Sequence, residues 1–257
     1  MSYISWERKG RIAEMTIQHP PANALSKALI AEIDEALNDI EKDPDVRVAI
    51  ISGEGRFFSA GADIKEFTSI ETKERFAELA AYGQRIFERV ERFPKPVIAA
   101  IHGAALGGGL ELAMSCHIRL VTENAKLGLP ELSLGLVPGF AGSQRLPRYV
   151  GMAKAAEMLL TSEPVSGTEA VQWGLANRAY PEEELLPKAR ELAAKIAEKS
   201  PVSTKAALEL LNYSKHAEYY EGVRKEAESF GTVFSSEDAK EGIQAFLEKR
   251  RPEFAGK

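Results

Sequence analysis

Short apolar runs alternate with longer amphipathic segments over the first two thirds of the chain, and this alternation restricts the possible folds more than any other feature. The runs at residues 46–52, 97–101 and 118–121 have the composition and length of buried strands. Residues 26–40 and 72–93 carry apolar side chains three and four positions apart, as helices do. Strands that alternate with helices predict an α/β protein built of parallel βαβ units with right-handed connections.

The N-terminal segment predicts a hairpin followed by a capped helix. Apolar and polar residues alternate on both sides of Lys9 and Gly10, which is typical of two strands joined by a turn. Ser26 precedes the first helical pattern and belongs to the residue types that commonly cap a helix N-terminus.

Helical patterns dominate after Pro147, and we place a boundary at Pro201. The prediction is therefore a core of residues 1–200 and a helical C-terminal region of residues 201–257. Helices are predicted at residues 189–199, 205–211, 219–234 and 238–249.

Composition and charge exclude several classes of protein. The chain has 257 residues, a net charge of −5 and one cysteine. The acidic balance argues against general nucleic-acid binding, and a single cysteine excludes an internal disulfide framework. The four histidines lack the spacing of metal ligands, so no metal is expected. No basic segment precedes an apolar run at the N-terminus, and no stretch reaches roughly 18 apolar residues. We therefore expect a cytoplasmic protein without a membrane partner.

Two glycine-rich turns each follow a predicted strand, at residues 57–65 and 104–111. Small residues let the backbone approach a ligand closely, and the second turn opens a helix whose first N–H groups lack an internal acceptor. Neither turn fits the phosphate-binding patterns G-x-x-x-x-G-K-[ST] or G-x-G-x-x-G. A single such turn is more often a tight packing loop. Two that meet at the carboxyl ends of neighbouring strands could each donate one N–H to the same oxygen, forming an oxyanion hole.

Two acids lie near these turns. Glu111 is in the first turn of the glycine-led helix, and Glu131 follows Pro130 at the start of an apolar run. Each has a simpler interpretation, Glu111 as an acid stabilised by the helix dipole and Glu131 as a solvated loop acid. Two carboxyl groups in an apolar environment can instead share one proton, and they then supply both a general base and a general acid.

Taken together, these motifs resemble the crotonase (enoyl-CoA hydratase/isomerase) family, and most closely a monofunctional enoyl-CoA hydratase. The resemblance covers nearly the whole chain in order. It is carried by the sequences SAGADIK at residues 59–65, GAALGGGLELA at 103–113, PE at 130–131, GLVPG at 135–139 and GSQRLP at 142–147.

The resemblance implies a crotonase-like spiral of ββα and βαβ units, with the C-terminal helices used in trimerisation. It implies hydration of trans-2-enoyl-CoA to 3-hydroxyacyl-CoA in fatty-acid β-oxidation, with no cofactor, because coenzyme A is part of the acyl-CoA thioester substrate. A homotrimer, or a homohexamer formed by two trimers, is expected. The C-terminal region agrees with this, since Val223, Ala227 and Phe230 present apolar surface that a small appendage could not bury alone.

Residue by residue, the resemblance implies that the N–H groups of Ala62 and Gly108 form the oxyanion hole. Glu111 and Glu131 match the two catalytic acids of the hydratases, Glu111 acting as base and Glu131 as proton donor. The remaining positions that it assigns to substrate binding are Ala22, Ala24, Ala60, Asp63, Ile64, Lys65 and Gly139.

Other reactions and roles are open to this fold. Double-bond isomerisation needs only the acid at Glu131, so the presence of both acids favours hydration. A noncatalytic RNA-binding or scaffolding member of the fold disagrees with both acids and with the acidic charge, and a serine hydrolase would carry G-x-S-x-G, which is absent. The chain also departs from many hydratases, with Leu129 in place of glutamine and Phe140 in place of glycine. Both departures affect the expected shape of the acyl pocket.

Overall fold

The computed structural model of the protein describes residues 2–67, 72–215 and 217–257. The strands are β1 (Ile4–Lys9), β2 (Ile12–Ile17), β3 (Val48–Gly53), β4 (Val97–Ile101), β5 (Ala104–Leu106), β6 (Ile118–Thr122), β7 (Lys126–Gly128), β8 (Val165–Ser166) and β9 (Arg178–Tyr180). The helices are α1 (Lys27–Lys42), α2 (Ile64–Phe67), α3 (Lys73–Glu91), α4 (Gly108–Ser115), α5 (Gly142–Thr161), α6 (Gly167–Gln172), α7 (Glu182–Ala197), α8 (Pro201–Tyr213), α9 (Tyr219–Phe234) and α10 (Glu237–Glu248). A 3-10 helix lies at Pro130–Leu134.

The five predicted strands and the unpredicted β9 form one six-stranded sheet in the order β1-β2-β3-β4-β6-β9. β1 and β2 are the predicted antiparallel hairpin, and each of the following neighbours pairs in parallel. Ser26 caps α1 as predicted, since its side chain accepts the N–H of Leu29 at 3.1 Å. The carboxyl ends of β3 and β4 therefore lie at the same edge of the sheet, and both glycine-rich turns begin there.

Both faces of the central strands β3 and β4 are buried, as expected for parallel strands between helices. Alternate residues of β3 point to opposite faces: Ala49 and Ile51 pack in the large core with α1, α3 and α4, whereas Val48 and Ile50 pack against α7. α7 is longer than the helix predicted at residues 189–199, because its acidic first turn extends the helix to Glu182.

A second sheet of three short strands, β5-β7-β8, is not predicted by the sequence pattern. β5 and β7 have three residues each and β8 has two, too few for a period of two to stand out. β5 directly precedes α4, so this small sheet fixes the position of the second glycine-rich turn.

The C-terminal helices α8, α9 and α10 follow the predicted order, but Pro201 begins α8 and does not simply break the chain. Ser200 caps this helix, and a proline is well tolerated in the first helical turn. Phe230 is 71% exposed, and the side chain of Val223 lies outside the described part of the structure. None of the helices in the described residues is long and apolar enough to cross a membrane.

Candidate active site

The two glycine-rich turns converge, as the sequence predicts. The N–H of Ser59 donates to the carbonyl of Ala104 at 3.2 Å, and the N–H of Leu106 donates to the carbonyl of Ser59 at 3.0 Å. A Cβ atom on Gly109 would lie 2.3 Å from the carbonyl oxygen of Ser59, so only glycine permits this approach. The loop after β3 and the start of α4 are thus held as one unit.

This unit presents the backbone of Ala62 and Gly108 to one cavity. Gly108 is the first residue of α4, so its N–H has no acceptor within the helix. Ala62 forms a parallel bridge with Leu25, in which the residues flanking Ala62 make the hydrogen bonds to Leu25. The N–H of Ala62 therefore points away from Leu25. A Cβ atom added to Gly61 would lie 3.6 Å from the nitrogen of Gly108, so the two turns lie close together.

The cavity in front of these residues has a volume of about 380 Å³. Its lining is mostly apolar, and the two carboxyl groups of Glu111 and Glu131 are its charged members. An apolar cavity with a few converging polar groups is the usual form of a small-molecule site.

Glu111 is almost completely buried, with 1% of its surface exposed. Its Oε1 atom accepts two backbone N–H groups, from Phe140 at 2.8 Å and from Gly142 at 2.7 Å. The pKa of Glu111 is raised to about 7, chiefly by burial; the negative charge of Glu131 acts in the same direction, and the two N–H donors act in the opposite direction. Glu111 can therefore both accept and release a proton near neutral pH.

Glu131 lies in the 3-10 helix and lines the same cavity as Glu111. Its Oε1 atom is 3.0 Å from the position that a Cβ on Gly107 would take, and its buried Oε2 atom has no hydrogen-bond partner among the described residues. Burial raises the pKa of Glu131. The apolar residues that follow it do not provide this burial, since Leu134 is 60% exposed and Val137 75% exposed. They line the cavity.

Most of the predicted site residues meet at this cavity. Those that line it are Ala60, Ala62, Ile64, Gly108, Glu111, Glu131 and Gly139. Four others lie outside its lining: Ala22, Ala24, Asp63 and Lys65. Ala22 is tied to the site because its carbonyl accepts the N–H of Ala60 at 2.9 Å. The side chain of Asp63 accepts the N–H of Lys65 at 3.0 Å, which shapes the start of α2.

One wall of the cavity comes from α3 and is not predicted as part of the site. Phe76, Ala77, Leu79 and Ala80 line it. In the sequence, Phe76 and Leu79 belong to the apolar face of the helix predicted at residues 72–93. Their spacing does not separate them from the residues of the same face that pack in the large core, which begin at Tyr82 and Ile86.

The two departures from the family pattern both lie beside the carboxyl groups. The Phe140 ring lines the cavity and packs edge-on against Phe87 at 5.2 Å between ring centroids. A Cβ on Gly83 would lie 2.4 Å from this ring, so α3 must carry glycine there to accommodate it. Leu129 is fully buried behind the site, where its side chain packs next to Gly142.

Comparison with known proteins identifies the family. Residues 7–257 match the family described as enoyl-CoA hydratase/isomerase. The chain belongs to this family. A probable enoyl-CoA hydratase of Bacillus subtilis is 61% identical over the full length of both chains. The short-chain-enoyl-CoA hydratase of Clostridium acetobutylicum is 41% identical over 98% of this chain and 97% of the relative.

Solved structures support the same family and fold. An enoyl-CoA hydratase from Geobacillus kaustophilus superimposes with a TM-score of 0.96 at 34% identity, covering 100% of this chain and 98% of that one. The enoyl-CoA hydratase from Bacillus anthracis gives a TM-score of 0.94 at 36% identity, over 99% and 100%. These matches confirm the predicted crotonase-like fold and the predicted enzyme class, enoyl-CoA hydratase.

Proposed function

We propose that the chain adds water across the C2=C3 bond of a trans-2-enoyl-CoA to give a 3-hydroxyacyl-CoA, as a cytoplasmic enzyme of fatty-acid β-oxidation. The observation that carries this proposal is the meeting of two carboxyl groups and two converging backbone turns in one cavity. Full-length relatives named as hydratases support the same reaction.

The thioester carbonyl would be bound by the N–H groups of Ala62 and Gly108. These donors stabilise the negative charge that builds up on the carbonyl oxygen as the nucleophile adds to C3. One donor of this kind contributes about 2.7–4 kcal/mol to transition-state stabilisation. Because the donors are backbone groups held by the paired turns, they need no reorganisation when the charge develops.

Glu111 and Glu131 would hold the reacting water between them. The water oxygen forms a bond to C3 while Glu111 takes a proton from the water, and Glu131 gives its proton to C2. Proton exchange between the two acids then restores the starting state. General acid–base help of this kind contributes about 10²–10⁴-fold to the rate.

The hydrogen bonds support this division of roles. Two N–H donors on Oε1 stabilise Glu111 as a carboxylate and leave Oε2 for the water. Burial raises the pKa of Glu131, and its buried Oε2 atom has no partner in the described structure, which favours its protonated form. Burial alone would favour protonation of Glu111, the more buried acid. The two donors oppose this effect, and with a pKa of about 7 the carboxylate form of Glu111 is present at neutral pH.

The remaining predicted contacts complete the substrate site. We propose that residues 22–24 and 60–65 hold the adenine and pantetheine parts of coenzyme A, and that Gly139 lies near the water. The Phe140 ring, seated on Gly83, would close the acyl end of the cavity and favour short acyl chains.

We propose further that the chain forms a homotrimer or a homohexamer through its C-terminal helices. Phe230, Phe234 and Phe246 are 71%, 59% and 82% exposed, and aromatic surface of this extent usually lies in an interface.

The proposal is tested by incubating the purified protein with trans-2-enoyl-CoA thioesters of increasing chain length and following the loss of the conjugated thioester absorbance. We expect turnover with crotonyl-CoA and decreasing kcat/KM as the acyl chain lengthens. No absorbance loss with any thioester would contradict the proposed reaction.

A further inference from the structure

A buried network of charged side chains lies next to residues 140–142, whose backbone N–H groups donate to Glu111. Arg145, in the first turns of α5, is 5% exposed, and Glu91, at the end of α3, is 8% exposed. The Glu91 Oε2 atom accepts from Nε of Arg145 at 3.1 Å and lies 3.0 Å from Nη2. The other carboxylate oxygen of Glu91 lies 2.6 Å from Nζ of Lys215, which follows α8. Removing charges from water is costly, so stability alone is a weak reason for such a network.

The network reaches Glu111 through the backbone. Nη1 of Arg145 donates to the carbonyl oxygen of Phe140 at 2.8 Å. The N–H of the same Phe140 and the N–H of Gly142 are the two donors to Glu111 Oε1. The guanidinium group therefore holds the peptide segment that orients the proposed base.

The segment needs such support because of its backbone conformation. Ala141, between the two donor residues, has a φ of 71°, in the left-handed region that non-glycine residues seldom occupy. A left-handed residue at this point turns the N–H groups on its two sides towards one anion. A strained conformation of this kind persists only where its surroundings hold it in place. The hydrogen bond from Arg145 fixes the carbonyl immediately before it.

We infer that Arg145, fixed by Glu91 and Lys215, is a positioning residue for the hydration reaction: through the Phe140 carbonyl it keeps both N–H groups on the Glu111 carboxylate. This role rests on the proposed function of Glu111 as base. It also connects the C-terminal region to the site, because Lys215 comes from that region and its side chain, 28% exposed, is the most accessible member of the network.

The substitution Arg145→Lys tests the role, because lysine keeps the positive charge but cannot bind Glu91 and the Phe140 carbonyl with one planar group. We expect kcat for crotonyl-CoA to fall about tenfold with KM changed less than about twofold, since a misplaced base affects the chemical step more than binding. The acidic limb of the kcat/KM profile should move to higher pH by about one unit, because a carboxylate that loses N–H donors becomes harder to ionise. Lysine keeps the positive charge at position 145 and Glu131 is unchanged, so the two side chains whose charges act on Glu111 stay the same in the variant.

The matched control is Arg119→Lys. Arg119 is also a buried arginine, 3% exposed, and it donates to backbone carbonyls of Cys116 and Leu175, but it makes no bond to the loop around Phe140. The control should lose thermal stability and keep the wild-type kcat and pH profile. If Arg145→Lys behaves like the control, Arg145 is merely structural and the inference is wrong.

A second variant covers the case in which Arg145→Lys does not fold. Glu91→Gln keeps the shape of the Glu91 side chain but weakens its interaction with Arg145. The acidic limb of the kcat/KM profile should therefore also move to higher pH, by a smaller amount than in Arg145→Lys. An unmoved limb with Glu91→Gln would overturn the inference. A wild-type protein without hydratase activity would contradict the proposed function itself, whereas an active wild type with unshifted variants contradicts only the role of Arg145.

Discussion

The core and the C-terminal region use their apolar side chains in opposite ways. In the central strands β3 and β4 every apolar residue is at most 2% exposed, whereas in α10 Phe246 is 82% and Leu247 69% exposed. Among those residues of 201–257 whose burial the structure describes, only Asp238 and Ala245 are buried. The core therefore obtains its folding free energy from its own packing, and the C-terminal helices present surface suited to another copy of the chain. The proposed catalytic groups lie in the core, so activity and assembly should respond to different substitutions.

The largest expected effect lies in the core, at the oxyanion hole. Gly108→Pro removes one N–H at a position where a helix tolerates proline. We expect kcat for crotonyl-CoA to fall at least about 10²-fold, the size of one lost donor, while KM changes less. Sedimentation should remain that of the wild type. Gly108→Ala is the control, because it adds a Cβ and keeps the N–H. A Gly108→Pro protein that is as active as Gly108→Ala would show that the carbonyl is not bound there.

A smaller effect is expected at the acyl end of the site. Phe140→Ala removes the ring that closes the cavity, so kcat/KM for an eight-carbon relative to a four-carbon enoyl-CoA should rise about tenfold, the scale of a few methylene contacts. Phe87→Leu is the control, since Phe87 supports the ring without lining the cavity. An unchanged ratio in Phe140→Ala would mean that the acyl chain extends elsewhere.

Substitutions in the C-terminal region should change the oligomeric state of the protein before they change its activity. Phe246→Glu places a charge in the exposed aromatic surface, and we expect sedimentation to shift from an oligomer towards the 28.1 kDa monomer. Gln244→Glu adds the same charge to the same helix without removing an aromatic ring and should stay assembled. A wild-type protein that sediments only as a monomer at micromolar concentration would contradict the proposed assembly.

The last expected effect is on the way the free energy of unfolding changes with pH. The pKa of Glu111 is raised from 4.5 to about 7 in the folded protein, so the folded state binds the proton more tightly than the unfolded state. The free energy of unfolding therefore falls by up to about 3 kcal/mol as the pH rises from 4.5 to 7. Glu111→Gln has no such proton to lose. Its Tm relative to wild type should rise by several degrees between pH 5 and pH 8, and a constant difference would contradict the raised pKa.

The strands and helices that the sequence predicted correctly are those with a long, regular pattern. β4 and α9 have the predicted limits, because β-branched runs and helical periodicity depend on local sequence. The sheet of β5, β7 and β8 could not be predicted, since strands of two or three residues are defined by their partners. The C-terminal helices were placed correctly, but their sequence pattern does not show which of their faces stay exposed.

The residues of the site also divide into those that the sequence pattern reveals and those that it does not. Glu111 and Glu131 could be singled out because an acid beside a glycine-led helix and an acid after a proline are visible in the sequence. The α3 wall could not, since Phe76 and Leu79 have the same periodicity as true core residues. Arg145 gave no signal of its own, because its importance depends on a carbonyl five residues earlier and on Glu91, 54 positions away.

The most direct test of the central claim is to measure hydration of a 2-enoyl-CoA and isomerisation of a 3-enoyl-CoA with Glu111→Gln and Glu131→Gln. If both acids act on one water, each substitution lowers hydration at least about 10²-fold, and the double variant loses less than the product of the two. An isomerase would be inactivated by Glu131→Gln and left largely active by Glu111→Gln. Near-wild-type hydration by Glu111→Gln would contradict the assignment of this residue as the base.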